Sequence, residues 1–154
     1  MARLGFAADD ENECVAAVRN LLTSEHELVF VATQSMPWPD MSVAVAEAVA
    51  AGTIEYGVLM CWTGTGTAIA ANKVHGVRAA TVTDSWTARG ARLWNDANVI
   101  ALSLKRLAPD VAVECVRAFL DERDSDPEEA SAIQRLRDLD YVHRSDTHGS
   151  EPVR

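Results

Sequence analysis

A cysteine followed by a glycine-rich turn is the feature of this sequence with the clearest chemical potential. Cys61 ends an apolar run, and the next residues are Trp62-Thr63-Gly64-Thr65-Gly66-Thr67, leading into a helical pattern. Two glycines let backbone N–H groups point into one space at a helix start, which suits an oxyanion or a phosphate. The local positive field would favour a thiolate, which could remove a proton from carbon. A tight strand-to-helix turn with a cysteine as apolar filler explains the same pattern, so both interpretations stay open at this point.

The turn differs from the common nucleotide-binding loops. A P-loop needs Lys followed by Ser or Thr after its second glycine, and the dinucleotide fingerprint needs a third glycine. The four histidines have no metal-ligand spacing with a cysteine or carboxylate. We therefore expect neither a metal nor a cofactor.

Short apolar runs alternate with segments of helical periodicity. The runs are apolar at consecutive positions, as in strands buried on both faces, and they predict strands at 3–8, 28–32, 57–62, 78–83 and 98–102. Asp10 and Glu13 have the spacing of a capping box and predict the first helix. Further helices are predicted at 41–51, 67–73, 85–94, 109–122 and 128–141. This order predicts an α/β fold, a three-layer Rossmann-like parallel five-stranded sheet with helices on both faces, plus a C-terminal helix.

Ligands of such sheets bind at the carboxyl ends of the strands, which indicates positions after Ala8, Cys61 and Thr83. Asp84 is predicted to cap the helix that follows rather than to face a cleft. Residues 1–142 are predicted to form a single domain, and residues 143–154 a polar tail.

Composition excludes several classes of partner. The 154 residues carry 14 Lys and Arg against 23 Asp and Glu, a net charge of −9, so binding to nucleic acid or an anionic membrane is not expected. No apolar run approaches the roughly 20 residues that span a bilayer, and the N-terminus has no signal-peptide core. Three widely spaced cysteines do not form a disulfide framework. We expect a cytoplasmic protein with reduced thiols.

Several motifs together resemble one enzyme family. Cys61-x-Thr63-Gly64-x-Gly66 is followed by Ile-Ala-Ala-Asn-Lys at 69–73, Gly-Val-Arg-Ala-Ala at 76–80 and Asn-Asp-Ala-Asn-Val at 95–99. With Gly-Phe-Ala-Ala-Asp at 5–9, this order resembles the ribose-5-phosphate isomerase B and galactose-6-phosphate isomerase family over about residues 3 to 120. The resemblance implies a metal-free aldose–ketose isomerase that works as a homodimer or homotetramer, with sites between subunits.

The same resemblance implies roles for individual residues. Cys61 would be the base that moves a proton between C1 and C2 through an enediolate, with help from the Thr63 hydroxyl. The glycine loop would stabilise the enediolate oxygen, and Asp9 would contact the sugar. The residues predicted to bind substrate are Asp10, Trp38, Trp62, Gly64, Thr65, Gly66, Thr67, Trp94 and Asn95.

Four site positions depart from the family pattern. Trp94 stands where members carry a histidine that helps ring opening, and Asp10 where they carry a histidine that contacts phosphate. Trp62 replaces a glycine and Trp38 a tyrosine. Ring opening would therefore need another acid, such as Asp9 or Asp10, or an open-chain substrate.

The phosphate-binding arginines of the family are also missing. Glu128 and Ala132 fall where two of them would lie, although a shifted register could bring Arg135 or Arg137 into a neighbouring site. Surface positions are expected for Arg89 and Arg92, and either could compensate. Because the changes remove positive charge, we expect a sugar phosphate to bind poorly.

These observations predict a divergent sugar isomerase whose substrate is not ribose 5-phosphate. Two alternatives stay open. One is a non-catalytic or half-catalytic subunit that forms a hetero-oligomer with a paralogue. The other is a repurposed binding protein or enzyme, whose tryptophan-lined cleft takes a sugar or nucleoside.

Overall fold

The computed structural model describes residues 1–32 and 36–145, in which strands and helices alternate along the chain. The elements are β1 (Arg3–Ala8), α1 (Glu13–Glu25), β2 (Glu27–Ala32), α2 (Trp38–Ala50), β3 (Tyr56–Cys61), α3 (Thr65–Ala71), β4 (Ala79–Thr81), α4 (Ser85–Asn95), β5 (Val99–Ser103), α5 (Pro109–Asp121) and α6 (Ala130–Ser145). A single 3-10 turn, Pro127–Glu129, precedes α6.

The five strands form one parallel sheet in the order β2-β1-β3-β5-β4. Strand β2 lies on one side of β1, whereas β3 and the later strands lie on the other side of β1. The direction of winding therefore changes between β1 and β3, and in such sheets a crevice opens at that point. The predicted three-layer Rossmann-like architecture is confirmed.

Consecutive apolar residues bury both faces of the sheet, because side chains alternate across a strand. Phe6, Met60 and Leu102 belong to a core covered by α1, α4 and α5. Leu59 and Ala101 belong to a second core, covered by α2 and α3. This double burial explains why the strands lack the polar alternation of a half-exposed sheet.

The predicted boundaries differ from the structure at four helix starts. Helix α2 starts at Trp38, three residues before the predicted 41. Asn12, not Asp10, caps α1, and its side-chain oxygen accepts a hydrogen bond from the Val15 N–H at 3.0 Å. Helix α3 starts two residues before the predicted 67, directly after Gly64. Helix α6 starts at Ala130 because the 3-10 turn takes residues 127–129, and it continues to Ser145, three residues into the predicted tail. Residues 146–154 of that tail lie outside the described residues.

The strand predicted at 78–83 is only three residues long, Ala79–Thr81. Beyond it Asp84 caps α4, accepting the Thr87 N–H at 2.8 Å, as predicted. Because β5 separates β4 from β3, the third expected ligand position, after Thr83, does not adjoin the other two.

Arg92 was expected at the surface, and that expectation is wrong. The residue is 3% exposed, and its guanidinium group lies over the Tyr56 ring, 4.8 Å from the centroid. It donates hydrogen bonds to the carbonyl oxygens of Ala97, Glu122 and Arg123 and to the Asp96 carboxylate. Planar fork geometry makes arginine suited to this task, and the side chain ties the ends of α4 and α5 together.

We expect Arg92→Met to lower the free energy of unfolding by about 3–5 kcal/mol, because three carbonyl oxygens, that of Ala97 buried and the other two part-buried, lose their donor. Arg89→Met is the matched control on the same helix. Arg89 is an exposed partner of Glu122, and its loss should cost under about 1 kcal/mol. Urea denaturation measures both values, and equal losses would contradict a structural role for Arg92.

Candidate active site

A cleft lies at the carboxyl edge of the sheet where the winding changes direction. Asp9 follows β1 and Cys61 ends β3, and the Asp9 N–H donates to the Met60 carbonyl at 3.1 Å. The cavity has a volume of about 350 Å³, and it is lined by Asp9, Trp38, Cys61, Trp62, Thr63, Thr65 and Gly66. Two of the three strand ends expected to bind a ligand are therefore brought together.

Cys61 forms the floor of the cleft. The residue is 5% exposed, and its sulfur accepts a hydrogen bond from the Gly64 N–H at 3.2 Å. The hydroxyl of Thr67, a fully buried residue, lies 3.5 Å from the same sulfur. A hydrogen bond to sulfur becomes stronger when the sulfur is negatively charged. The two contacts also fix the direction in which the sulfur faces the cavity.

Gly64 is required by the geometry of this turn. Its φ of 75° lies in the left-handed region, and a Cβ atom there would stand 2.8 Å from the carbonyl carbon of Leu102. The reversal of the chain at Gly64 turns its N–H back toward Cys61. The Thr81 hydroxyl donates to the Gly64 carbonyl at 2.9 Å and holds the turn from the side of β4.

Two tryptophans form walls of the cleft. The Trp38 ring lies on Gly66, where a Cβ atom would approach it to 3.1 Å. On α2 the Trp38 carbonyl accepts a hydrogen bond from buried Ser42 at 2.6 Å. Trp62 follows β3, not within it as predicted, and its carbonyl accepts a bond from Ser103 at 2.5 Å. Both indole rings remain more than 40% exposed and can contact a ligand.

Hydroxyl groups line the helix-side wall of the cavity. Thr63 and Thr65 hydrogen-bond each other through their hydroxyls at 2.7 Å, and both side chains are exposed to the cleft. Thr67, predicted to bind substrate, instead faces the Cys61 sulfur from a fully buried position. In this position it can orient the sulfur, and contact with a substrate stays a prediction.

Asp9 is the carboxyl group with the most unusual surroundings. One of its oxygens is buried and has no hydrogen-bond partner among the described residues. Burial, and then the negative charge of Asp10, raise the pKa of Asp9 above its ordinary value. A raised pKa brings a carboxyl group in a cleft closer to the range in which it can donate a proton to a ligand.

Asp10 and Lys105 stand at the rim of the cleft. The Trp62 indole N–H donates to Asp10 at 3.2 Å, and the Lys105 ammonium lies 3.8 Å from the same carboxylate. The Glu11 backbone N–H, and then the Trp62 bond, lower the pKa of Asp10. The Asp10 carboxylate therefore has a cationic neighbour.

Sequence reasoning missed Lys105. The residue comes two positions after β5, the strand next to β3, and it belongs to the same carboxyl edge as Cys61. Lys105 is one of two lysines in the chain. Ligands of such sheets bind at the carboxyl ends of the strands. Applied to the fifth predicted strand as well as to β1 and β3, this rule would have indicated Lys105.

Two predicted site residues lie away from this cavity. Trp94 packs edge-on against Trp86 on α4, with ring centroids 5.3 Å apart. Asn95 lines a different cavity of about 400 Å³, which also borders Leu136 and Leu139 of α6. Their role in a site between subunits stays a prediction.

Arginines converge elsewhere, on Asp96. Arg78 and Arg92 each donate to this carboxylate at 3.0 Å, and Arg137 from α6 is also hydrogen-bonded to it. Burial would raise the pKa of Asp96, but the Arg137 hydrogen bond and the charges of Arg78 and Arg92 together lower it. Arg137 is thus engaged within its own chain, and no arginine of the described residues lines the Cys61 cleft.

The described ranges contain no cluster of three or more His, Cys, Asp or Glu side chains that could hold a metal ion. Over the same residues, no helix combines the length and the apolar character needed to cross a membrane.

Fold and cleft together define a class, the doubly wound α/β proteins that bind small molecules at the carboxyl edge of a parallel sheet. Residues 6–137 match the Ribose/Galactose Isomerase family. The chain belongs to this family, whose members named below are sugar-phosphate isomerases.

Individual relatives support the same assignment. A D-erythrulose-4-phosphate isomerase of Pectobacterium atrosepticum is 35% identical over 111 residues, which cover 72% of this chain and 71% of the relative. The galactose-6-phosphate isomerase subunit LacB of Clostridium acetobutylicum is 35% identical over 109 residues, covering 71% of this chain and 62% of LacB. The ribose-5-phosphate isomerase B structure of Clostridium thermocellum superposes with a TM-score of 0.84 at 29% identity, covering 92% of this chain and 99% of that chain.

Asp9→Asn should raise the stability of the protein at neutral pH. A carboxyl whose pKa is raised by folding binds an extra proton in the native state, so its contribution to stability falls as pH rises through the native pKa. The neutral amide avoids this loss. We expect the melting temperature of Asp9→Asn, measured from about pH 4 to about pH 8, to exceed that of the wild type by an amount that grows above about pH 4 and levels off once the pH passes the raised native pKa of Asp9.

Thermal denaturation across that pH range measures the difference. Asp110→Asn is the control, since Asp110 is an exposed residue in the first turn of α5, where a negative charge is favourable. It should lower the melting temperature slightly. A pH-independent gain for Asp9→Asn would contradict the assignment of a raised pKa.

Proposed function

We propose that this protein is an aldose–ketose isomerase in which Cys61 is the base. The observation that carries the proposal is the sulfur at the floor of the cleft, held by the Gly64 N–H and exposed to the cavity on one side. The thiolate removes the proton from the carbon beside a carbonyl group, and the electron pair forms an enediolate. The resulting thiol returns the proton to the neighbouring carbon, so sulfur ends as it began.

The proton on oxygen must also move from one hydroxyl position to the other. We assign help in this step to Thr63, whose hydroxyl faces the cleft with Thr65 as its partner. The N–H groups of the loop that contains Gly66 would stabilise the negative oxygen of the enediolate. Asp9, with its raised pKa, would supply the proton for ring opening in place of the histidine that Trp94 replaces.

The substrate we propose is a sugar or polyol aldehyde without a strong requirement for phosphate. The lining of the cleft contains two indole walls and no arginine among the described residues, which suits the apolar face of a sugar better than a dianion. The named relatives act on erythrulose 4-phosphate and galactose 6-phosphate, so family membership leaves the length of the sugar open.

A second subunit would complete the site. Trp94 and Asn95 lie on α4 and line no part of the cleft within their own chain, and one relative is itself named as a subunit. We propose a homodimer or homotetramer, with a hetero-oligomer with a paralogue as the second candidate. The mass of the assembly, measured for the protein alone and after mixing with paralogues, distinguishes a homo-oligomer from a hetero-oligomer. The buried reduced cysteines fit a cytoplasmic location.

Replacement of the proposed base is the direct test. Cys61→Ser should lower kcat by about 100- to 10,000-fold, because serine is a far weaker base than a thiolate. The serine hydroxyl can still bond to Gly64 and Thr67, so the fold should be kept. Deuterium exchange from D₂O into the sugar, followed by NMR, detects formation of the enediolate. A panel of aldoses, ketoses and their phosphates shows which of these sugars is the substrate.

Cys14→Ala is the matched control. Cys14 is buried in the core, and burial raises the pKa of its thiol. This change should lower stability by about 1 kcal/mol and leave exchange unaffected. Iodoacetamide should modify Cys61 before Cys14 and Cys115, since burial raises the pKa of Cys115 to about 11. Exchange that survives in Cys61→Ser would refute the assignment of the base.

Ribose 5-phosphate should be a poor substrate. We expect kcat/KM below about 10² M⁻¹s⁻¹, against about 10⁴–10⁸ for typical enzymes, because the cleft lacks the arginines that bind a dianion. A coupled assay with phosphorylated and unphosphorylated pentoses side by side gives the comparison. A value above about 10⁴ M⁻¹s⁻¹ on the phosphate ester would overturn this expectation.

A further inference from the structure

Three neighbouring strands each contribute one residue to a charged cluster at the rim of the cleft. Asp10 follows β1, Trp62 follows β3 and Lys105 follows β5, and these strands are adjacent in the sheet. We call these three residues the rim cluster. Trp62 also lines the Cys61 cavity, so the cluster adjoins the space in which a substrate would bind.

Every member of the rim cluster contacts the other two. The Lys105 ammonium lies 4.7 Å from the centroid of the Trp62 ring and 3.8 Å from an Asp10 oxygen. That same oxygen accepts the indole N–H at 3.2 Å, while the other oxygen accepts the Glu11 N–H at 2.8 Å. The carboxylate is therefore held by two donors and directed at the lysine.

The Asp10 carboxylate thereby offsets part of the positive field of Lys105 before any ligand arrives. An anionic group of a substrate that approaches along the Trp62 wall would meet an ammonium already paired with a fixed carboxylate, and it would be repelled by that carboxylate. A neutral hydroxyl group would meet no such opposition. All three side chains remain at least 40% exposed, so the contacts can exchange with a ligand.

We propose that Asp10 is an internal competitor for Lys105 and sets the preference of the cleft against substrates that carry a phosphate monoester. This inference rests on the proposed function for its biological meaning, because it concerns the substrate class of the same cleft. The underlying anion competition is a property of binding alone, and it can be tested without turnover.

The test is the affinity for inorganic phosphate of wild type and Asp10→Asn. Asparagine preserves the size of the side chain and an acceptor oxygen, and it removes one negative charge beside Lys105. The dissociation constant should fall by about 3- to 10-fold at low salt, as expected for one exposed charge near the ligand. The gain should shrink when salt exceeds about 0.1 M.

Tryptophan indole N–H signals in ¹⁵N NMR locate the binding, because the chain has four tryptophans and Trp62 belongs to the rim cluster. Trp62→Phe identifies its signal by removing it. Phosphate should move the Trp62 signal in Asp10→Asn. Glu25→Gln is the matched control, since it also removes one carboxylate from an exposed ion pair, with Arg117, near the opposite edge of the sheet. It should leave phosphate affinity unchanged within about two-fold.

Lys105→Met separates competition from a simple change of net charge. In the Asp10→Asn background it should abolish the gain in phosphate affinity. In the wild type it should weaken phosphate binding less than it does in the Asp10→Asn background, because the wild-type lysine is already paired with Asp10. Asp10→Ser provides a second neutral variant should asparagine disturb the fold.

Three results would overturn the proposal. The first is equal phosphate affinity, or no phosphate binding, in the wild type and both Asp10 variants. The second is a gain in phosphate affinity that persists without Lys105. The third is a gain in phosphate affinity of the same size in Glu25→Gln. Failure of the proposed function would look different. In that case no sugar would exchange protons with solvent, while the competition between Asp10 and phosphate would still be measurable.

Discussion

The left-handed turn at Gly64 is the constraint on which the cleft depends. Only a residue without a Cβ atom can lie this close to the Leu102 backbone at a φ of 75°. The turn directs one N–H back to the Cys61 sulfur and starts α3 immediately afterwards, so the proposed base and the hydroxyl-lined wall are positioned by a single backbone feature. With a side chain at this position the strand end and the helix start would have to separate, and the sulfur would lose its donor.

Much of the fold was predictable because burial on both faces of a parallel sheet leaves a strong pattern. The strands ending at Ala8 and Cys61 appear as continuous apolar runs, and the caps and prolines mark several helix ends. The short strand Ala79–Thr81 was harder to delimit, because Val82 beyond its end is also apolar and buried although it lies outside the strand. Asn12 caps α1 in place of Asp10, which instead contacts Trp62 and Lys105, and such long-range contacts leave no local pattern in the sequence.

The site was predictable where residues are close in sequence and less so where they meet only in space. Cys61, Gly64 and Thr65 follow one another in one turn, and the turn could be recognised from its letters. Lys105 approaches Asp10 across almost a hundred residues, and local periodicity carries no information about such a pair. Arg92 shows the same limit, because a charged residue on an amphipathic helix is expected at the surface unless distant carbonyl groups require a donor.

The floor and the rim of the cleft are built from different kinds of structure. Cys61 belongs to a central strand with neighbours on both sides, and its surroundings tolerate little change. The rim residues stand on connecting segments after the strands, where side chains can be exchanged at small cost to the fold. The residues proposed for reaction chemistry and those proposed for recognition therefore lie on different parts of the structure. A designer could retarget it by altering a few loop positions while leaving the reactive centre intact.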